Sequence, residues 1–244
     1  LNLFHNKGAN TKINLASFIE KSGANLTYIG ITSEKYKDHH NALSMDSLVL
    51  EKISATCTKL ESIGLDIKNL SLDDISNFLT ARGSKLKTIS FYNISYWKRS
   101  AEISMLTLNT LMKISETCPE LESLSLMNWI DDKDDRFDNI LRQLKKNCKI
   151  NYIDLSNLHT NDNMIRKIAR HFNSELQEIH IDNSEELTDD AIDALTTHCT
   201  NLKRVYLDKS ENISAQSLEY FGKRNIQLID LYVDGTQILE VEIH

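Results

Sequence analysis

The stretch LTDDAIDALTTHCTNLKRVYL, residues 187 to 207, contains one full unit of the chain's organisation. Its second half sets Leu202, Val205 and Leu207 at the first, fourth and sixth places of a short segment. The last two stand two residues apart, the side-chain period of a β-strand, so both lie on one face. Its first half carries Ala191, Ile192 and Leu195 at helical spacing behind Thr188, Asp189 and Asp190. The hydroxyl there can accept a bond from a free N–H of the first turn, and the acids sit at the positive end of the helix dipole. The spacing therefore predicts a capped helix followed by a strand, each with one apolar face and neither able to bury it alone.

The strand pattern returns along the chain as Leu26-Ile29-Ile31, Leu60-Ile63-Leu65, Leu86-Ile89-Phe91, Leu121-Leu124-Leu126, Ile150-Ile153-Leu155, Leu176-Ile179-Ile181, Leu202-Val205-Leu207 and Ile226-Ile229-Leu231. All twenty-four places are apolar in a chain that is 41% apolar, so the recurrence is not compositional. The starts are separated by 34, 26, 35, 29, 26, 26 and 24 residues, which sets a base period near 26. Leu1 and Leu3 read as the tail of one further strand. Helical faces fall between the strands: Leu72, Ile75, Phe78 and Leu79 behind Ser71, and Ile165, Ile168, Ala169 and Phe172. Leu239, Val241 and Ile243 alternate like a last strand.

Repeats of this kind bury their faces by stacking strand on strand and helix on helix. Helices are about 10 Å wide and paired strands about 4.8 Å apart, so the strand side is compressed and becomes concave. The predicted fold is an α/β right-handed solenoid of about eight to nine repeats, parallel sheet inside and helices outside, as one domain over residues 1–244. The start at Leu1, without initiator Met or apolar leader, reads as the start of a fragment.

Within that frame LTDDAIDALTTHCTNLKRVYLDKSENIS (187–214), ISATCTKLESIGL (53–65) and ISETCPELESLSL (114–126) resemble the cysteine-containing leucine-rich repeat of F-box and leucine-rich-repeat proteins. Cys57, Cys118 and Cys199 each stand three residues before the first Leu, and Cys148 stands two before Ile150. Asn157, Asn183 and Lys209 depart from the pattern, where a second Cys or a Gly often follows the strand. The resemblance implies a leucine-rich-repeat horseshoe. It also implies a substrate-recognition role within an SCF-type ubiquitin ligase receptor, whose adaptor is held by an F-box upstream of the repeats. No F-box is visible, so an adaptor is a partner only if one precedes Leu1. The alternatives are a stand-alone repeat protein that binds or inhibits another protein, as ribonuclease inhibitor does, and a regulator of a small GTPase.

The formal charge of -7 argues against nucleic acid or an anionic membrane as the main ligand and favours a protein partner with a basic segment. Four cysteines with no CxxC pair suggest a reducing compartment, cytoplasmic or nuclear, and buried free thiols at equivalent repeat positions. No GxSxG, GxxxxGK[ST] or HExxH motif is present, so neither enzyme chemistry nor a cofactor is expected. Asp131 to Asp135 fails the EF-hand pattern at Arg136 and Arg142, and Asp38-His39-His40 has no Cys or further His at ligand spacing. No metal site is assigned.

Candidate partner-binding residues come from two places. On the strand face, one column reads Gly30, Gly64, Ser90, Ser125, Asp154, His180, Tyr206, Asp230, and the next Thr32, Asp66, Tyr92, Met127, Ser156, Asp182, Asp208, Tyr232. The C-terminal half is acidic and aromatic, which selects Asp154, His180, Asp182, Arg204, Tyr206, Asp208, Asp230 and Tyr232, with His180 either tuning the face near neutral pH or pairing with Asp154 or Asp182. The second place is one edge of the solenoid, where three lengthened repeats add about Ser33 to Met45, Asn93 to Thr107 and Asn128 to Asp138 between strand and helix. Those segments carry Tyr36, Trp97 and Trp129 as aromatic anchors or plugs.

Overall fold

A computed structural model of the chain describes residues 2–3, 15–31, 45–66, 70–92, 101–126, 135–156, 158, 160–181, 185–207, 211–225, 227–233 and 236–240. Helices and strands alternate: β1 (Asn2–Leu3), α1 (Leu15–Ser22), β2 (Tyr28–Ile31), α2 (Ser47–Thr56), β3 (Ser62–Asp66), α3 (Leu72–Arg82), β4 (Thr88–Tyr92), α4 (Ala101–Thr117), β5 (Ser123–Ser125) and α5 (Asp135–Asn147). The series continues with β6 (Tyr152–Asp154), α6 (Asp162–Phe172), β7 (Glu178–Ile181), α7 (Asp189–His198), β8 (Arg204–Leu207), α8 (Ala215–Arg224), β9 (Asp230–Val233) and β10 (Thr236–Glu240). The strands form one sheet in chain order, parallel from β1 to β9, which is the predicted α/β solenoid. Only β10 runs antiparallel, folding back on β9. Val241 and Ile243 lie outside the described residues.

Seven of the eight described helix-to-strand junctions, all but that from α5 to β6, repeat one turn. The amide of the strand-opening leucine bonds the carbonyl three residues earlier in Leu26 to Gly23, Leu60 to Cys57, Leu86 to Gly83, Leu121 to Cys118, Leu176 to Asn173, Leu202 to Cys199 and Leu228 to Asn225. The last member corrects the sequence reading. The eighth triplet is Leu228-Leu231-Val233, two residues later than Ile226-Ile229-Leu231. Leu228 and Leu231 are buried, Val233 packs against the core, Ile229 is only half-buried, and Ile226 lies outside the described residues. The segment IQLIDLYV is apolar in either frame, so the triplet alone could not choose; the turn at Asn225 chooses. The last spacing is then 26, equal to the two before it.

One continuous apolar cluster runs from Leu15 to Leu231 between sheet and helices. The predicted helix faces lie in it, Ile75, Phe78 and Leu79 on α3, Ile165, Ile168, Ala169 and Phe172 on α6, and Ala191, Ile192 and Leu195 on α7. Leu72 is half-buried. All four cysteines are buried and free. Burial pushes the Cys118 thiol up to about 11 and the Cys148 and Cys199 thiols up to about 12, so they behave as small apolar residues.

The caps do more than the sequence implied. Thr188 and Ser214 each accept the amide of their own first turn, from Asp190 and Ser217. Each also donates to the first-turn aspartate of the preceding helix. Thr188 gives its N–H at 2.9 Å and its hydroxyl at 2.7 Å to Asp162, and Ser214 gives both at 2.7 Å to Asp189. Every such hydroxyl therefore caps one helix and ties it to its neighbour. Of the lengthened segments, residues 101–107 are helical, making α4 the longest helix at 17 residues, and residues 135–138 begin α5. These stretches extend helices instead of forming loops; the remainder, residues 33–44, 93–100 and 128–134, lies outside the described residues.

Two outcomes test this packing. A Cβ on Gly83 would stand 2.8 Å from the backbone oxygen of Thr117 and 2.9 Å from the Cys118 sulfur, whereas the nearest atoms to one on Gly30 belong to the far end of the exposed-face Tyr28 side chain. The overlap at Gly83 outweighs the ~0.4–1 kcal/mol that alanine gains from a stiffer unfolded chain. Urea unfolding is expected to show Gly83→Ala less stable by about 1–3 kcal/mol and Gly30→Ala within about 0.5 kcal/mol of the parent. The Ser214 amide and hydroxyl hold the Asp189 carboxyl below the usual range, so its contribution is complete above about pH 4 and is lost as pH falls through the lower folded value. Asp189→Asn should lower the melting temperature by roughly 2–4 °C at pH 7 and by less at pH 3.

Candidate functional site

Alternation along each strand sends two described side chains per repeat to the face opposite the helices. With the corrected register one column runs Tyr28, Ser62, Thr88, Ser123, Tyr152, Glu178, Arg204, Asp230. The next runs Gly30, Gly64, Ser90, Ser125, Asp154, His180, Tyr206, Tyr232. Two assignments from sequence change. Tyr232 joins Tyr206 and His180, and Asp230 moves one column over to lie beside Arg204. The column led by Tyr28 was missed, except for Arg204, and with it Tyr152 and Glu178; the alternation that placed the other columns was signal enough to find it.

In these two columns the side chains from β2 to β5 are small beyond Tyr28. From β6 to β9 they are large. Tyr152, His180, Tyr206 and Tyr232 form a ladder of rings, with centroids 5.2 Å apart between Tyr152 and His180, 4.0 Å between His180 and Tyr206, and 4.8 Å between Tyr206 and Tyr232. The last two rings are near parallel at 7°. That separation matches the distance between neighbouring strands, so one ring stands on each strand. All four are half-buried.

Glu178 organises the polar half. One carboxylate oxygen lies 2.8 Å from His180 Nε2, and the other accepts from Arg204 Nε and Nη2, each at 2.5 Å. His180 thus pairs with Glu178, a partner the sequence reading did not consider; of the two it offered, Asp154 bonds elsewhere and Asp182 lies outside the described residues. Glu178 also holds Arg204 more firmly in its charged form. Partial burial, then the carboxylates of Glu178 and Asp230, push the Tyr206 phenol up, so it stays neutral at physiological pH. Asp154 serves its own chain: it accepts the Ser125 hydroxyl at 3.0 Å across the β5–β6 pair and the Ser156 amide at 2.8 Å as β6 ends.

Among the described residues no hydroxyl or thiol is seen to hydrogen-bond the His180 imidazole. No group of three or more His, Cys, Asp or Glu among them could hold a metal ion, and no helix among them is long and apolar enough to cross a membrane. Asp182, Asp208, Tyr36, Trp97 and Trp129 lie outside the described residues, so the structure does not place the Asp182–Asp208 pair or the edge aromatics.

The architecture defines the class, a leucine-rich-repeat solenoid. No protein family matches the sequence, and no curated protein matches it by sequence. Solved structures do match. Rad7 of yeast, in its complex with Elc1, is 18% identical at a TM-score of 0.57 over 79% of this chain and 48% of its own. LegL7, a leucine-rich repeat-containing protein of Legionella pneumophila, is 13% identical at a TM-score of 0.57 over 96% of this chain and 73% of its own. The chain spans about half the length of Rad7. At these identities the likeness bears on the fold alone.

A double-mutant cycle tests whether Glu178 joins the two columns. Glu178→Gln and Arg204→Gln should show a coupling of about 1 kcal/mol in denaturant unfolding. A coupling indistinguishable from zero would leave the pair without energetic weight.

Proposed function

We propose that this chain is a protein-interaction module, and that the strand face of β6 to β9 takes a partner segment bearing positive charge. One observation carries the reading: the two described columns change from small side chains on β3 to β5 to a ladder of four rings flanked by carboxylates on β6 to β9. The solenoid does not need these residues for its core, which lies on the other side of the sheet. The chain's formal charge of -7 fits a basic partner. The reading is one of binding, with no reaction or cofactor assigned. The edge aromatics Tyr36, Trp97 and Trp129, with Asp182 and Asp208, remain candidate contributors to the same interface.

The finer reading is a substrate-recognition region of an F-box-type ubiquitin ligase receptor working in the cytoplasm or nucleus. Its support is the cysteine-containing repeat frame around Cys57, Cys118 and Cys199, and a fold shared with Rad7, whose structure was solved with a second protein, Elc1. A stand-alone binding or inhibitor protein uses the same face without the adaptor.

The test is affinity purification of the full-length protein from its own cells, in parallel with a Tyr206→Ala/Tyr232→Ala form. A partner present in near-equal amount should be lost from the variant, while its melting temperature moves by no more than a few degrees. Recovery of a ligase adaptor in both samples supports the receptor reading, and its absence from both supports the stand-alone one. A partner retained undiminished by the variant would contradict the placement on this face.

A further inference from the structure

Among the described residues of β6 to β9, the strand face carries three carboxylates, Asp154, Glu178 and Asp230, against one guanidinium, Arg204. The carboxylates are not gathered in a cluster. They stand along a row of half-buried rings, with Asp154 directly before His180 in the ring column and Asp230 directly after Arg204 in the column beside it. Each acid has a ring of the ladder as a neighbour: His180 across the strand pair from Asp154, His180 bonded to Glu178, and Tyr232 two residues along β9 from Asp230.

The two biological cations respond differently to such a surface. An ammonium is compact and strongly hydrated; beside a ring it either keeps its water or gives it up at a cost. A guanidinium is flat and weakly hydrated, lies against a π surface, and still points N–H groups sideways at a carboxylate. Tyr206 and Tyr232, stacked and parallel within 7° at 4.8 Å, present aromatic surface to a flat group. The protein already holds one guanidinium in this row, Arg204, bonded to Glu178 through two of its nitrogens and leaving 46% of its side chain exposed.

We infer that the occupant of this face is an arginine-bearing segment, selected over a lysine-bearing one by the Tyr152–His180–Tyr206–Tyr232 ladder. The inference rests on the reading above that this face takes a positively charged partner. It adds a division of labour: the carboxylates supply attraction for any cation, and the rings supply the choice of arginine. Asp154, which keeps its bonds from Ser125 and Ser156, and Asp230 then supply negative charge at the two ends of the ladder, about three strand spacings or ~14 Å apart. Glu178 holds the middle by fixing His180 and Arg204.

Two labelled peptides of equal length and charge, five Arg-Gly repeats and five Lys-Gly repeats, provide the probe, read by fluorescence anisotropy with the whole chain at physiological salt. The arginine peptide should bind about five-fold tighter or better. Tyr206→Leu with Tyr232→Leu should abolish that difference while leaving both peptides bound. Tyr206→Phe with Tyr232→Phe keeps the rings and should keep the preference, which holds the test open even if the leucine form fails to fold. Equal affinity of the two peptides for the unaltered protein overturns the arginine inference and leaves the broader reading standing. Binding of neither overturns both.

Discussion

One carbonyl at the mouth of each strand fixes this molecule. In every repeat from β2 to β8 it receives two consecutive amides from the repeat that follows: Thr27 from Glu61 and Ser62, Glu61 from Lys87 and Thr88, Lys87 from Glu122 and Ser123, and so on to Lys203, which takes Ile229 at 2.8 Å and Asp230 at 3.0 Å. The residues are a mixture of Thr, Glu, Lys, Asn and Gln, because the bond is made by backbone and asks nothing of the side chain. It sets which residue stands beside which across the sheet. Slipping it by one would move a strand's apolar residues to the solvent face; slipping it by two would preserve the core and rearrange only the surface.

The surface therefore depends on register more sensitively than the core does. With Lys203 bonded to Ile229 and Asp230, Tyr232 stacks on Tyr206 and Asp230 lies beside Arg204. A two-residue slip would have faced Tyr206 with Asp230 instead and ended the ring ladder one strand early. Of the acidic and aromatic face that the sequence suggested, the described residues form a ring ladder with acids at its flanks, and its central carboxylate, Glu178, is engaged by His180 and Arg204.

The fold was legible because its signals repeat: apolar triplets, helical faces and acid-rich caps agree with one another in unit after unit. The eighth unit was misread because IQLIDLYV is apolar in two frames. The deciding feature was the residue three places before the strand-opening leucine, where Gly23, Cys57, Gly83, Cys118, Asn173, Cys199 and Asn225 make the same turn. Cysteine was visible as a marker; that Gly and Asn serve the same turn was not. Tyr152 and Glu178 were missed by leaving out one solvent-facing column. The pairing of Glu178 with both His180 and Arg204 could not be read at all, since it depends on side-chain geometry across two strands. The coupling of Asp162 to Thr188 and of Asp189 to Ser214 likewise joins residues 26 and 25 apart whose local pattern announces only a cap.

Register at the last parallel pair is thus the claim on which both the fold and the candidate site stand, and NMR can measure it directly. Nuclear Overhauser contacts between the Tyr206 and Tyr232 rings, together with contacts from the Asp230 amide to Lys203 and Arg204, are the result this structure requires. Contacts that place Tyr206 opposite Asp230, with Tyr232 one pair further along the strand, would contradict it.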